Sequence, residues 1–168
     1  METVSQAQTV THPIPPFCAE GARVLILGSF PSVRSRESGF FYGHPQNRFW
    51  HVLARVFEDA VPATVEEKKA FLSAHGIALW DVIASCRIEG SADSSIRDVT
   101  PNDIPSLLRS HGIRAVFTNG KTAQALYDKH ILPTLGIPAV CLPSTSPANA
   151  AWSVERLTAA WHALRQRS

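Results

Sequence analysis

Residues 24–32 read VLILGSFPS, and this stretch decides the fold. Its first four residues are apolar without interruption, which is typical of a strand covered on both faces of a parallel sheet. Gly28 and Pro31 then predict a tight turn. Because functional groups of α/β proteins gather at the carboxyl ends of such strands, the turn is predicted to form part of a site.

Three more apolar runs and several helical patterns extend this prediction. Residues 23–28, 78–83, 115–118 and 138–142 are predicted to be buried strands. Helices are predicted at residues 49–57, 65–75, 104–110, 121–131 and 154–164. The second of these helices begins with the capping box Thr64-Val65-Glu66-Glu67 and ends at Gly76. Alternating strands and helices predict an α/β fold, namely a three-layer α/β/α sandwich with a central four-stranded parallel sheet.

Length and composition indicate an ordinary globular protein. The 168 residues, 45% of them hydrophobic, are enough for one domain at residues 21–168, preceded by a polar, proline-rich arm or tail at residues 1–20. The formal net charge of +2 neither favours nor excludes nucleic acid as a partner. No secretory signal and no apolar run long enough to span a membrane is visible, so we expect a cytoplasmic protein with no membrane partner. We expect a monomer.

Three cysteines, at positions 18, 86 and 141, are far apart and form no Cys-x-x-Cys motif. They are read as free thiols, and no metal site is predicted. No zinc motif, phosphate-binding loop or Ser-His-Asp elbow is present either.

The segment YGHPQNRFW, residues 42–50, holds the sharpest candidate site residues. Tyr42 offers a ring for stacking, and Asn47 offers both a donor and an acceptor for the edge of a nucleobase or for a water molecule. Pro45 is predicted to start the helix, which would place Asn47 in its first turn with the amide facing the cleft. His44 is equally compatible with a role in binding and with a capping role.

Two other segments could complete a cleft. The backbone amides of Ser29 and Phe30 can point into it. The loop LPSTSPAN, residues 142–149, is uncharged and dense in hydroxyls and prolines, so it can approach a nucleic-acid backbone closely or form a plain polar turn. Nearby cations, either solvated or placed to neutralise phosphates, are Arg34, Arg36, Arg48 and Lys121.

Together these segments resemble the motifs of the uracil-DNA glycosylase superfamily, and most closely its hypoxanthine-DNA glycosylase branch. The resemblance covers roughly residues 23–161 and includes LWDVI at residues 79–83 and TNGKTA at residues 118–123. In the mismatch-specific uracil enzymes, an Asn of the first turn positions the attacking water. Phe30 occupies that place here and cannot do so, so the resemblance transfers the catalytic role to Asn47. Ser144 likewise replaces the Asn that begins the family's second motif.

The resemblance implies a monofunctional glycosylase that hydrolyses the N-glycosidic bond of a deaminated base, hypoxanthine or also xanthine, in double-stranded DNA during base-excision repair. Neither motif contains a lysine, which disfavours a Schiff-base route, and no cofactor is expected. The implied base-binding residues are Ser29, Phe30, Tyr42 and His44. The implied DNA-binding residues are Arg34, Arg36, Lys121, Ser144, Ser146, Pro147, Ala148 and Asn149.

Three alternatives stay open at this point. The first is an enzyme of the same fold that acts mainly on uracil. The second is a nucleic-acid-binding relative without catalysis, which Phe30 in the first turn would favour. The third is an α/β enzyme that acts on a free nucleoside or nucleotide.

Overall fold

Four parallel strands form the central layer of the protein. In the computed structural model, which describes residues 8–30, 33–88 and 96–167, they are β2 (Val24–Gly28), β3 (Ile77–Asp81), β6 (Ala115–Asn119) and β7 (Val140–Leu142). Their order across the sheet is β3-β2-β6-β7. All five residues of β2 are buried, because this strand lies inside the sheet and both of its faces are covered.

Helices cover both faces of this sheet. They are α1 (Val33–Ser38), α2 (Phe49–Val56), α3 (Val65–His75), α4 (Ile104–His111), α5 (Lys121–His130), α6 (Leu132–Leu135) and α7 (Val154–Arg167). Val24 and Ile26 share one core with α2, α3 and α7, whereas Leu25 and Leu27 share a second core with α4 and α5. The predicted α/β/α sandwich around a four-stranded parallel sheet is confirmed. None of the helices in the described ranges combines the length and apolar character needed to cross a lipid bilayer.

The capping box predicted for α3 is present. Glu67 N–H donates to Thr64 Oγ1 at 3.1 Å, and Thr64 N–H donates to the Glu67 carboxylate at 3.0 Å. Gly76 ends the helix with φ of 69°, a left-handed conformation that glycine adopts without strain. Local backbone chemistry therefore fixes both ends of this helix.

A second sheet was not predicted. It has three antiparallel strands in the order β1-β4-β5, comprising β1 (Gln8–Thr11), β4 (Ile83–Ile88) and β5 (Arg97–Pro101). The strand predicted at residues 78–83 is divided, because Val82 N–H and Ile83 N–H donate to the carbonyls of Gly28 and Ser29 and redirect the chain. The helix predicted at residues 121–131 ends at His130, and Pro133 lies in the first turn of α6 instead.

Residues 8–20 pack against the domain. β1 pairs with β4 from Gln8 to Thr11, and Phe17 bridges to Leu79 at the edge of the parallel sheet. Ile14 is buried in the core between these two attachments. This arrangement places His12 at the carboxyl edge of the parallel sheet.

Candidate active site

The last residues of three neighbouring strands form the floor of the site. Gly28 is in register with Asp81, and Leu27 is in register with Thr118, so Asn119 follows on the same face of the sheet as Gly28. A β-carbon at Gly28 would overlap Asp81 Oδ1 and lie 3.1 Å from Tyr42 Oη. Glycine is required here because Asp81 and Tyr42 converge above it.

Tyr42 has an unusual backbone conformation, a stacked ring and a buried hydroxyl. Its φ is 53°, which is uncommon for a non-glycine residue and is a form of strain found at functional sites. The ring stacks on Phe49 with centroids 3.9 Å apart. The hydroxyl is buried without a hydrogen bond of good geometry, whereas the residue as a whole is partly exposed, so the exposed part is its ring or backbone.

Burial raises the pKa of the Tyr42 phenol, and the negative charge of Asp81 raises it further, while the Asn119 amide nearby has the opposite effect. Tyr42 is therefore a neutral phenol at physiological pH. Its hydroxyl lies among polar groups of β2, β3 and β6, at the centre of the floor.

Asn47 lies in front of α2 rather than inside it. The helix begins at Phe49, with Arg48 at its N-cap position, and not at Pro45 as predicted. Asn47 Oδ1 accepts hydrogen bonds from Phe49 N–H at 2.9 Å and from Thr145 Oγ1 at 2.8 Å. A backbone N–H can only donate, so the atom facing it must be the amide oxygen. Among the described residues no acceptor bonds to Nδ2, so this donor is not used by the described part of the chain.

Thr145 links Asn47 to the sheet. It is fully buried, its N–H donates to Asn119 Oδ1 at 3.1 Å, and its hydroxyl accepts from Asn119 Nδ2 at 3.0 Å. The hydroxyl has one proton, and it donates this proton to Asn47 Oδ1. Sequence reasoning assigned no role to Thr145 or Asn119. The available signal for Asn119 was its place directly after a buried strand, next to the turn Gly120.

Two side chains, the partly buried Arg48 and the buried Trp161, anchor the loop that contains Thr145. The Arg48 guanidinium donates to the carbonyl oxygens of Ser146 at 2.8 Å, of Asn149 at 3.0 Å and of Trp152. Trp161 Nε1–H donates to the carbonyl of Pro143 at 2.9 Å. Arg48, which the sequence offered as a surface cation or a phosphate ligand, is directed inward and fixes the loop.

The loop residues predicted to bind DNA divide into shaping residues and a tip. Ser144 Oγ accepts from Ser146 N–H, Ser146 Oγ accepts from Ala148 N–H, and Asn149 Nδ2 donates to the carbonyl of Ser144. Pro147 and Ala148 are exposed at the tip. The polar side chains thus define the shape of the loop, and the two apolar residues project from it.

The first turn and His44 make mainly local contacts. The carbonyl of Ser29 accepts from Ile83 N–H at 3.1 Å. The Phe30 ring packs edge-on against His12, with Arg36 5.5 Å from its centroid. His44 Nδ1 accepts from Gln46 N–H, as expected for the capping role. Base binding by the amides of Ser29 and Phe30 stays a prediction.

Two of the predicted phosphate ligands, Lys121 and Arg36, contact groups other than Asn47. Lys121 lines a separate groove of about 780 Å³ between β5 and α5, together with Arg97, Lys129 and His130. Arg36 covers the Phe30 ring and is partly buried. The side chain of Arg34 lies outside the described residues, as do the whole of Pro31 and Ser32.

Fold and site define the class of protein. It is a three-layer α/β protein in which polar side chains, a stacked aromatic ring and an anchored loop lie together at the carboxyl edge of the parallel sheet. These features suit the binding of a flat, polar ring.

Comparisons with known proteins agree with this description of the fold. A model of the uracil DNA glycosylase superfamily matches residues 15–165. Two curated proteins named hypoxanthine DNA glycosylase, from Methanosarcina acetivorans and Methanosarcina barkeri, are 35% and 34% identical over 139 and 138 residues. These matches cover 82% and 80% of this chain and 87% and 85% of the relatives.

A solved structure shares the fold. The solution NMR structure of a candidate uracil DNA glycosylase from Methanosarcina acetivorans has a TM-score of 0.80 and 32% sequence identity, covering 95% of this chain and 98% of that one. The chain therefore belongs to the uracil DNA glycosylase superfamily, and the resemblance found in its motifs is confirmed.

Proposed function

We propose that this protein is a monofunctional DNA glycosylase that removes hypoxanthine from double-stranded DNA. The observation that carries the proposal is the Asn47 amide, whose oxygen is occupied by Phe49 N–H and Thr145 and whose Nδ2 is left for a substrate. The relatives named hypoxanthine DNA glycosylase support the choice of base. Xanthine is a second deaminated purine for the same pocket, and base-excision repair is the process in which such an activity would serve.

The target base must leave the duplex to reach this pocket. Flipping a base costs a few kcal/mol, and least for a mispaired base, which favours deaminated targets. Pro147 and Ala148, which are exposed on a loop anchored by Arg48, would fill the vacated stack as an apolar wedge. Tyr42, which is partly exposed as a residue and stacks on Phe49, would provide the ring on which the flipped base stacks.

Asn47 then acts on the departing base. When the bond between C1′ and the base nitrogen breaks, the base takes the electron pair and becomes negative, and water supplies the oxygen that bonds to C1′. A fixed donor aimed at this charge lowers the barrier without reorganisation, and loss of one such donor costs about 100-fold in rate or more. Asn47 Nδ2 is such a donor.

Hydrolysis without strand cleavage is the route that the site residues favour. The side chains grouped at the site, those of Tyr42, Asn47, Asp81, Asn119 and Thr145, include no lysine amine that could attack C1′ and form a Schiff base. The product is therefore expected to be an intact strand with an abasic site.

Base release from a panel of duplexes tests the proposal. Duplexes containing hypoxanthine, xanthine or uracil are incubated with the wild-type enzyme and with Asn47→Ala, and the released base and the abasic site are quantified. We expect hypoxanthine release that falls by about 100-fold in the variant. Binding of inosine DNA without release would mean a non-catalytic binder, and borohydride trapping of a covalent complex would contradict the hydrolytic route.

Uracil is the second candidate substrate, because the matching family model and the solved structure carry the name of uracil DNA glycosylase. The same panel separates the two, since preferential release of uracil would replace hypoxanthine as the substrate. Release from free deoxyinosine but not from DNA would favour a nucleoside enzyme.

A further inference from the structure

The groove between β5 and α5, which we call the basic groove, carries an excess of positive charge outside the candidate active site. It has a volume of about 780 Å³ and is lined by Ile96–Val99 and by six residues of α5. Three of the lining residues are exposed cations, namely Arg97, Lys121 and Lys129. The whole chain has a formal net charge of only +2, so this groove is a local concentration of positive charge.

The three cations have no ion-pair partner in the part of the chain that the structure describes. Asp98 also lines the groove, but its carboxylate lies 4.0 Å from Arg87 Nε, which partly balances its charge. The first turn of α5 contains no acidic residue, so the positive end of the helix dipole adds to the charge of Lys121. The basic groove therefore favours an anionic ligand.

The floor of the basic groove is apolar and held in place. Ile96, Val99 and Leu126 pack against the buried Ile83 and Cys86. None of the described lining residues is Phe, Tyr or Trp, so the groove has no platform of that kind on which bases would stack. Cations on both walls of a fixed floor suit the charged backbone of a nucleic acid rather than its bases.

The lysines of α5 are spaced for a repeating anion. Lys121, Ala125 and Lys129 follow one another at intervals of four residues, so they share one face of the helix. At a rise of about 1.5 Å per residue, the two lysines lie about 12 Å apart along the helix axis. A helical DNA strand carries one phosphate about every 3.4 Å along its axis, so this face spans about three phosphates.

The basic groove begins beside the candidate active site. Lys121 follows Asn119 by two positions, and Asn119 bonds to Thr145 in the network that holds Asn47. From there α5 runs back across the sheet, as a helix between two parallel strands must. The volume of about 780 Å³ lies within the range of small-ligand sites, about 300–1,000 Å³, which admits part of one strand but not a duplex.

Resting on the proposed function, we infer that the basic groove binds the phosphates of single-stranded DNA that continues from the strand held at the active site. Arg97, Lys121 and Lys129 neutralise these phosphates. Because the groove contacts the backbone, binding is expected to be independent of sequence. The protein is thereby suited to a lesion close to a junction between duplex and single-stranded DNA.

Tailed and blunt duplexes test the inference. Each contains 2′-fluoro-2′-deoxyinosine, a non-hydrolysable hypoxanthine nucleotide, about three base pairs, or about 10 Å, from one end. That end is blunt or extends the lesion strand by a thymidine tail of about six nucleotides, on the 5′ or the 3′ side. Affinities are measured by fluorescence anisotropy at about 50 and 200 mM salt.

We expect one of the two tails to raise the affinity of the wild-type enzyme. Three phosphate contacts, each with a salt slope of about 0.7 for a single strand, make this gain about 20-fold larger at the lower salt concentration. Arg97→Gln/Lys129→Gln keeps one contact, so the ratio of the two gains should fall to about threefold. The single variants Arg97→Gln and Lys129→Gln should each give about sevenfold, and they replace the double variant if it fails to fold.

Arg109→Gln/Arg114→Gln is the matched control. Both arginines are exposed near the amino end of β6, at the opposite edge of the parallel sheet from Lys121. The control removes the same charge from the molecule as Arg97→Gln/Lys129→Gln does. It should keep the wild-type ratio, because only a local contact depends on where the charge lies.

The inference is overturned if neither tail raises the affinity, or if Arg97→Gln/Lys129→Gln keeps the wild-type ratio. A glutamate oligopeptide that binds the wild-type enzyme but not this variant, without a gain from either tail, would assign the groove to an acidic protein segment and would also overturn it. Release of hypoxanthine from a blunt inosine duplex is measured separately. Its absence in the wild-type enzyme would refute the proposed function, whereas the tail experiment measures binding alone.

Discussion

Thr145→Val removes a hydroxyl and almost no volume, and it isolates the link between the sheet and Asn47. The Thr145 hydroxyl donates to Asn47 Oδ1 at 2.8 Å and accepts from Asn119 Nδ2 at 3.0 Å. In the variant, Asn47 keeps only the bond from Phe49 N–H, and Asn119 keeps the bond from the backbone of residue 145. The amide of Asn47 can then rotate about the one contact that remains.

Two quantities are expected to change. Stability should fall by about 2 kcal/mol, because a net loss of about 1 kcal/mol for a hydrogen bond is increased by the cost of leaving a buried amide N–H unpaired. Single-turnover release of hypoxanthine should fall by about 10- to 100-fold, since displacement of a reacting group by 1 Å can cost about 100-fold. DNA affinity should change little, because Pro147 and Ala148 stay exposed on a loop that Arg48 still holds.

Thr145→Ser is the matched control, because it keeps the hydroxyl and loses only a methyl group. Single-turnover rates, duplex affinity by fluorescence anisotropy and the free energy of unfolding are measured for both variants. We expect Thr145→Ser to release hypoxanthine within about threefold of the wild-type rate, a difference of under 1 kcal/mol in the barrier. A folded Thr145→Val enzyme with the wild-type rate would refute the positioning of Asn47 by this hydroxyl.

Other regions of the molecule give three further expectations. Arg48→Lys cannot bond several loop carbonyls at once, so duplex affinity measured by anisotropy should fall by about tenfold, and an unchanged affinity would contradict the anchoring role. Gly28→Ala should displace Asp81 or Tyr42 and abolish hypoxanthine release while the enzyme still folds, whereas a normal rate would show that the floor tolerates a β-carbon. Burial raises the pKa of both tyrosines, with that of Tyr127 raised from 10.0 to about 12, so phenolate absorbance should be small at pH 10 in the folded protein and large after unfolding. Because the folded-state pKa values are raised, the contribution of the neutral tyrosines to stability is complete below pH 10 and is lost as the pH rises toward 12. Half-ionised tyrosines in the folded protein at pH 10 would refute their burial.

The sequence predicted the structure correctly where a strand is buried along its whole length or where a helix is capped by residues next to it in the chain. Four apolar runs predicted the parallel sheet, and the Thr64 capping box together with Gly76 predicted both ends of α3. The second sheet was missed because β1 and β5 are polar and largely exposed, so neither carries an apolar pattern. Its stability depends on pairing with β4, a contact between distant parts of the chain.

The sequence identified the segments of the candidate site, but not the hydrogen bonds that connect them. The motif around Asn47 was recognised, but Pro45, a residue common in the first turn of helices, predicted an earlier helix start than the structure shows. Thr145 and Asn119 lie 26 positions apart, and His12 and Asp81 lie 69 apart. No local pattern links such pairs, and only the folded sheet brings them together.

The polarity of Asn47 is the central claim, and Asn47→Asp tests it most directly. The aspartate can still accept from Phe49 N–H and Thr145, so the loop and the helix start are preserved, but it offers no N–H to the departing base. Single-turnover release of hypoxanthine is measured for Asn47→Asp and Asn47→Ala beside the wild-type enzyme. We predict that both variants lose about 100-fold or more. Release by Asn47→Asp at close to the wild-type rate would contradict the account, because residue 47 would then act as an acceptor that activates water.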